Sequence, residues 1–214
     1  MKNMKKTLIY MVRHGQSQAN ELDVFTGHTD LDLTQKGREQ ALLTAKYLSN
    51  IPVERIYASD LKRAYNTAKA TADCLNIPIV KEKNLREIFS GQWENQKYNT
   101  LEREHKETYG VWLKNIDEAW PEDGESVLQL QARIVATMES IARENAGKTV
   151  FVFTHATPIR CFAAHCKGIR IKDLPWVSNA SVSRFEYENG VFSLMEYGKD
   201  DFLGTTVTAP PKNV

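Results

Sequence analysis

"YMVRHGQSQAN", residues 10–20, ends an apolar run with an arginine and a histidine side by side. The run Leu8–Val12 is short and contains β-branched and aromatic residues, which predicts a strand buried on both faces. Arg13 and His14 follow it at once, although arginine is rarely buried without a partner. The pair is either a polar cap that faces water or a catalytic histidine beside an arginine that binds an anion.

Two later stretches repeat the strand pattern, "RIYAS" at residues 55–59 and "TVFVFTH" at residues 149–155. Between the strands, apolar residues recur at spacings of three and four, which predicts amphipathic helices. These helices are predicted over 34–49, from an N-cap at Ser59 to Leu75, and from 127 to an end at Gly147. The alternation predicts an α/β fold, a three-layer sandwich with a mostly parallel central sheet and helices on both faces.

Three other segments depart from this alternation. Residues 90–120 are polar and helix-prone with scattered aromatic residues, and we expect them to form an inserted helical cap over the active site. Asn189-Gly190 lies between two alternating runs, which predicts a hairpin. Residues 205–214 have little apolar surface to bury, so we expect a loose tail. The chain is interpreted as a single domain, residues 1–214.

The composition excludes several classes of protein. The 214 residues carry a net charge of +1, without the basic excess of a dedicated nucleic-acid or membrane-surface protein. No apolar stretch approaches the roughly 20 residues that span a bilayer. Three cysteines are too few for a disulfide framework, which favours free thiols and a cytoplasmic location. We expect neither a metal nor a cofactor, no nucleic-acid or membrane partner, and the oligomeric state stays open.

Four basic side chains are expected to converge at one edge of the sheet. Open α/β sheets bind ligands at the carboxyl ends of their strands. Arg13 and His14 end one predicted strand and His155 ends another, while Arg63 lies in the first turn of the helix after a third. Grouped cations of this kind repel one another unless an anion is present, and guanidinium groups bind a tetrahedral dianion well.

This grouping predicts phosphoryl transfer. A neutral imidazole can attack phosphorus and form a phosphohistidine, which divides the transfer into two easier steps. The surrounding donors would stabilise charge on the equatorial oxygens in the transition state. A carboxylic acid near the pocket would protonate the leaving oxygen and later accept a proton from the attacking water.

The order of these groups along the chain resembles the histidine phosphatase superfamily, which includes cofactor-dependent phosphoglycerate mutases and broad-specificity phosphatases. The resemblance covers the chain from Leu8 to about Glu196. Its motifs are "VRHGQSQAN", "TGHTDLDLTQKG", "YASDLKRAYNTA", "LREIFSGQWEN", "PEDGES" and "FTHATPIR".

The resemblance implies a role for each site residue. His14 would be the nucleophile, Glu87 the proton donor, and His155 a group that stabilises charge in the transition state. The phosphoryl group would be held by Arg13, Arg63 and His155. Auxiliary phosphate contacts or pocket walls would come from Ser17, Asn20, Thr26 and Gly27.

Three features leave alternatives open. His28 lies where many relatives have tryptophan, which leaves the pocket shape undefined. Thr157 could contribute a hydroxyl to the site or cap the helix entered at Pro158, and capping is favoured. The tryptophans of residues 90–120 could form the wall of a leaving-group site or could simply pack.

We expect a metal-independent phosphomonoesterase that hydrolyses small phosphorylated metabolites through a phosphohistidine, similar to broad-specificity and α-ribazole phosphatases. The alternative is a cofactor-dependent phosphoglycerate mutase. The segment after Glu87 is short and mixes its basic residues with acids, which favours the phosphatase. A non-catalytic protein that binds a phosphorylated ligand is disfavoured, because nucleophile, clamp and acid are all present.

Overall fold

A six-stranded sheet forms the centre of the molecule, and the computed structural model describes residues 6–209. The strand order is β3-β2-β4-β1-β5-β6. The strands are β1 (Thr7–Arg13), β2 (Arg55–Ala58), β3 (Ile79–Lys81), β4 (Thr149–Thr154), β5 (Val182–Glu188) and β6 (Val191–Lys199).

Four of the strands run parallel. β1 pairs with β4, β4 with β2, and β2 with β3 in parallel, whereas β5 runs antiparallel to both β1 and β6. The hairpin between β5 and β6 turns at Asn189 and Gly190, which both have positive φ as a tight hairpin requires. The mostly parallel sheet and this hairpin agree with the sequence prediction.

Helices cover both faces of the sheet and form two cores. Ile56, Ala58 and Phe153 of the sheet pack with α2 and α3 on one face, and Ile9, Met11 and Val152 pack with α6 and α7 on the other. The predicted three layers are therefore present. The helices are α1 (Gln18–Glu21), α2 (Gln35–Leu48), α3 (Lys62–Leu75), α4 (Tyr98–Glu104), α5 (Lys106–Lys114), α6 (Val127–Glu144) and α7 (Ala156–Lys167).

The segment 90–120 packs through aromatic rings onto the loop that follows α1. The ring of Phe25 lies edge-on to the rings of Trp93, Tyr98, Tyr109 and Trp112, with centroid distances of 5.6–6.3 Å. Aromatic pairs of this geometry contribute beyond the area that they bury. This contact fixes α4 and α5 beside the carboxyl end of β1.

Some sequence predictions need correction. Ser59 is not the N-cap of α3, because Leu61 holds that position. The Ser59 hydroxyl instead makes a hydrogen bond with His155 Nε2. β3 was missed, since three residues carry too little pattern. The start of the predicted loose tail is anchored: residues 201–206 form 3₁₀ turns interrupted by a kink at Gly204, and the Thr208 hydroxyl donates to Asn179 Oδ1 at 2.9 Å. Residues 210–214 lie outside the described residues.

Within residues 6–209, no helix has both the length and the apolar character that a bilayer crossing needs.

Two glycines allow the backbone after β1 to touch the start of α2. A Cβ on Gly15 would clash with Gly37 O, and a Cβ on Gly37 would clash with Gln16 O. Both neighbours are backbone atoms, which cannot rotate away as a flexible side chain can. The segment that carries His14 is therefore held directly by the first turn of α2.

We expect Gly37→Ala to destabilise the protein by about 1–3 kcal/mol, because the added methyl group overpacks this backbone contact. Gly110→Ala is the matched control, since Gly110 also lies in a helix but a Cβ there meets nothing within 4 Å. That control should stabilise by about 0.5–1 kcal/mol through helix propensity. Chemical denaturation measures both, and equal shifts would contradict the close-contact argument.

Candidate active site

Parallel pairing of β1 with β4 brings the two strand-end histidines together. Arg13 is in register with Thr154, and the His14 amide donates to Thr154 O at 3.0 Å. The imidazole rings of His14 and His155 consequently lie 5.1 Å apart between centroids. Both side chains are buried, at 4% and 0% exposure.

The surroundings of His14 define its tautomer. Its Nδ1 lies 2.7 Å from Gly15 O, and because a carbonyl can only accept, Nδ1 carries the proton and donates. Burial, reinforced by the charges of Arg63 and Arg13, holds the pKa of His14 well below its usual value. The imidazole is therefore neutral near pH 7, and Nε2 keeps its lone pair.

Arg63 connects the second histidine to a loop. Its Nε donates to His155 Nδ1 at 3.2 Å, while Nη1 and Nη2 donate to Thr29 O and Gly27 O at 2.9 and 2.7 Å. Since Nδ1 of His155 accepts, its Nε2 carries the proton and donates to Ser59 Oγ at 2.9 Å. Burial lowers the pKa of Arg63 to about 10, which leaves it charged at neutral pH.

Arg13 is held by a different part of the chain, around Trp176 and Val177. Its Nη1 donates to Val177 O at 2.6 Å, and its guanidinium lies 5.3 Å from the centroid of the Trp176 ring. Its Nε is buried and has no hydrogen-bond partner within the described residues. Burial lowers its pKa to about 10, so Arg13 also stays cationic near pH 7.

Glu87 is the buried carboxyl group of the site. Its oxygens accept from the amides of Ile88 at 2.8 Å and Thr157 at 3.3 Å. His28 Nε2 and Arg133 Nη2 donate to the Glu87 carbonyl at 3.1 and 3.3 Å, which fixes the backbone that presents the carboxyl. Burial raises the pKa of Glu87, which favours its protonated form.

Both arginines, His14 and Glu87 face a common cavity of about 60 Å³. A single water needs roughly 10–15 Å³ on the same measure, so a small tetrahedral oxyanion fits. Seven of the predicted site residues lie in its wall: Arg13, His14, Ser17, Asn20, Thr26, Arg63 and Glu87.

The structure places two predicted residues behind the wall. His155 contacts Arg63 and the ring of His14, and it does not line the cavity. Gly27 supports Arg63 through its carbonyl, and a Cβ there would clash with Ile88 O. Gly27 therefore allows a close backbone approach and is not itself a wall residue.

Asn20 and Ser17 form a small unit at the start of α1. The amide of Ser17 and its hydroxyl both donate to Asn20 Oδ1 at 3.0 Å, and Asn179 Nδ2 donates to the same oxygen at 3.1 Å. Because that oxygen is saturated, the amide nitrogen of Asn20 is the end available to a ligand in the cavity. Asn179 also donates to His14 O at 3.2 Å, a contact that the sequence did not indicate.

The most important residue missed from sequence is Glu94. Its carboxylate accepts from the amides of Gly27 and His28, the Thr29 hydroxyl and the Ser90 hydroxyl, at 2.6–3.1 Å. Burial alone would raise its pKa, but these hydrogen bonds lower it, so Glu94 is ionised. The loop that Glu94 gathers presents the two carbonyls that hold Arg63.

Aromatic residues supply part of the remaining wall. Tyr98 and Trp112 of the segment 90–120 line the cavity together with Trp176. Trp93 is 1% exposed and packs against Trp112, while Trp120 is 52% exposed. The sequence left open whether the tryptophans form a wall of the site or only pack. Trp112 forms part of the wall, whereas Trp93 only packs. Trp176 was missed because it lies in a loop without a pattern.

The favoured interpretation of Thr157 is wrong. α7 begins at Ala156, so Thr157 is already its second residue. The N-cap is His155, whose side chain makes no capping hydrogen bond. Thr157 instead lines the cavity, and its backbone amide binds Glu87.

The chain belongs to the histidine phosphatase superfamily (branch 1), whose model matches residues 9–200. This match confirms the resemblance inferred from the sequence motifs.

Named relatives include both phosphatases and mutases. Phosphoserine phosphatase 1 of Hydrogenobacter thermophilus is 29% identical over 183 residues, 84% of this chain and 86% of that protein. The probable phosphoglycerate mutase GpmB of Yersinia pestis is also 29% identical, over 84% of this chain and 85% of its own length. Among solved structures, Bacillus stearothermophilus YhfR superposes with a TM-score of 0.89 at 27% identity, covering 92% and 99% of the two chains.

Glu94→Gln should impair the site at a distance, because its NH₂ group would face amide donors and release the loop that holds Arg63. We expect inorganic phosphate to bind about tenfold more weakly, as the loss of charged hydrogen bonds implies. Competitive inhibition by phosphate measures this affinity. Glu102→Gln, an exposed change of the same charge, is the control. A purely structural role would lower thermal stability and leave phosphate affinity unchanged.

Proposed function

We propose that the protein is a phosphomonoesterase that hydrolyses small phosphorylated metabolites through a phosphohistidine at His14. One observation supports this above the others. The His14 Nδ1 proton is engaged by Gly15 O, so the lone pair of Nε2 belongs to a neutral ring beside a cavity that Arg13 and Arg63 line. Such a nitrogen is a nucleophile, and the cavity around it attracts a dianion.

In the first half-reaction, His14 Nε2 attacks phosphorus as the bond to the ester oxygen breaks. Glu87, whose protonated form is favoured because burial raises its pKa, gives its proton to the departing alkoxide. The alcohol leaves and Glu87 becomes a carboxylate. The phosphohistidine keeps the proton on Nδ1, which still donates its hydrogen bond to Gly15 O.

In the second half-reaction, a water molecule attacks the phosphohistidine. The Glu87 carboxylate removes a proton from this water, and the N–P bond breaks as the new O–P bond forms. His14 returns to its neutral form with the Nδ1 proton in place. Inorganic phosphate then leaves, and Glu87 is again protonated for the next cycle.

The remaining site residues have binding or positioning roles in this proposal. Arg13, Arg63 and the amide nitrogen of Asn20 bind the phosphoryl oxygens, whose charge rises in the transition state. His155 acts through Arg63, to which it is hydrogen-bonded, and Ser17 orients Asn20. Thr26 forms part of the cavity wall, and Gly27 supports Arg63 through its carbonyl.

The phosphatase is favoured over the mutase by what the segment 90–120 contributes to the cavity. Within the described residues, it lines this cavity with Tyr98 and Trp112 and with no basic side chain. A mutase has to retain its product for a second transfer. We also propose a single-domain protein of the cytoplasm, which the unpaired state of the three cysteines supports.

His14→Ala should reduce hydrolysis of p-nitrophenyl phosphate to the background rate, because the neighbouring imidazole of His155 does not line the cavity. The assay contains EDTA, and we expect the unmodified protein to remain active in it. His165→Ala, an exposed histidine at the end of α7, is the control and should retain full activity. Activity of His14→Ala, or activity that depends on added metal, would refute the proposed mechanism.

Glu87→Gln should slow alkyl phosphates by about 10²–10⁴-fold and p-nitrophenyl phosphate far less, because nitrophenolate leaves without a proton. For alkyl esters, kcat/KM of the unmodified enzyme should fall as the pH rises through the raised pKa of Glu87, since deprotonation removes the acid. The variant should lack this decline. Equal losses on both substrates would mean that another group is the acid.

A mutase is tested directly with 3-phosphoglycerate and a trace of 2,3-bisphosphoglycerate. We expect inorganic phosphate to appear faster than 2-phosphoglycerate, because the part of the segment 90–120 that lines the cavity in the described residues has no basic side chain to retain the alcohol. Isomerisation faster than hydrolysis would establish the alternative activity.

A further inference from the structure

Side chains from elsewhere in the chain hold the segment that carries Glu87. Each backbone carbonyl of residues 84–87 accepts a hydrogen bond from such a side chain. Arg133 of α6 donates to three of these four carbonyls, Asn84 O, Arg86 O and Glu87 O, at 2.7, 3.1 and 3.3 Å. A peptide group that is paired with a side chain depends on that side chain for its position. One arginine, 46 residues away along the chain from Glu87, therefore holds most of this segment.

Arg133 is itself held by Glu125, in the loop before α6. Its Nε and Nη2 donate to the two carboxylate oxygens at 2.9 and 2.6 Å, the bidentate geometry that fixes a guanidinium in one orientation. The Phe89 amide donates to Glu125 Oε2 at 3.2 Å, and the Glu125 amide donates to Phe89 O at 2.8 Å. This ion pair, which we call the acid clamp, thus holds the backbone on both sides of Glu87.

The acid clamp lies outside the phosphate site. Of residues 6–209, those that line the cavity at His14 include neither Arg133 nor Glu125. Both instead border a separate surface cavity of about 430 Å³, and their side chains are 21% and 16% exposed. The clamp can therefore influence phosphoryl transfer only through the position that it gives to Glu87.

We propose that Arg133, oriented by Glu125, is a positioning residue for proton donation: it holds Glu87 where the carboxyl reaches the leaving oxygen. The proposal rests on the proposed function, in which Glu87 is the acid. Catalysis is sensitive to such placement, since a displacement of about 1 Å can cost about 10²-fold in rate. The clamp consequently matters for esters whose alcohol needs a proton to leave, and hardly for esters whose leaving group departs as a stable anion.

Other contacts keep the segment folded when the clamp is removed. Leu85 is fully buried in the core, and Arg86 forms its own bidentate pair with Asp60 at 2.7 and 2.6 Å. His28 Nε2 still donates to Glu87 O at 3.1 Å. Loss of the clamp should therefore displace the Glu87 carboxyl without unfolding the protein, and its effect should be smaller than that of removing the carboxyl itself.

Arg133→Met should lower kcat/KM for glycerol 3-phosphate, an alkyl ester, by about 10–100-fold and for p-nitrophenyl phosphate by less than about threefold. Glu125→Gln, which leaves one oxygen to accept from Arg133, should show the same selectivity with a smaller loss. Arg143→Met, an exposed arginine near the end of α6, is the matched control and should change neither rate. Equal losses on both substrates would assign Arg133 to stability of the fold alone and overturn the proposal.

A double variant separates this proposal from the proposed function. If Arg133 acts through the acid, Arg133→Met combined with Glu87→Gln should hydrolyse glycerol 3-phosphate within about threefold of the rate of Glu87→Gln alone. Losses that multiply would show that Arg133 acts independently of Glu87, which overturns the positioning role and leaves Glu87 as the acid. If Glu87→Gln alone lost no more activity on glycerol 3-phosphate than on p-nitrophenyl phosphate, the proposed acid would be wrong and the positioning role would fall with it.

Discussion

The parallel pairing of β1 with β4 is the constraint on which the site depends. It aligns Arg13 with Thr154, so that the next residue of each strand is a histidine. Both imidazoles then leave the sheet at the same edge, where β2 delivers the start of α3 and with it Arg63. A shift of one residue in this register would turn His14 to the other face, because side chains alternate along a strand.

Burial sets the charge of each group in the way that phosphoryl transfer requires. It keeps His14 and His155 neutral and raises the pKa of Glu87, while Arg13 and Arg63 remain charged. Arg13 and Arg63 therefore give the cavity an excess of positive charge away from bulk water. In the proposed reaction a phosphate dianion neutralises this excess, which favours binding of the ligand.

The sequence was informative where chemistry follows from position along a strand or helix. Arg13, His14, His155 and Arg63 could be placed because strand ends and first helical turns have defined locations, and the motifs supplied Glu87. Glu94 could not be placed, since its role comes from a loop fold that gathers several backbone and hydroxyl donors around its carboxylate. Trp176 was missed for a related reason, because it lies in a segment without periodicity.

The chemistry and the selection of substrate reside on different parts of the chain. The sheet edge and α3 supply the groups that act on phosphorus in the proposed reaction, whereas Tyr98, Trp112 and Trp176 come from segments outside the sheet. Mutations in those outer segments can accumulate without displacing His14 from Arg63. Over evolutionary time, one reaction can thus be redirected to new metabolites, which accounts for a family whose members bear both phosphoserine phosphatase and phosphoglycerate mutase names.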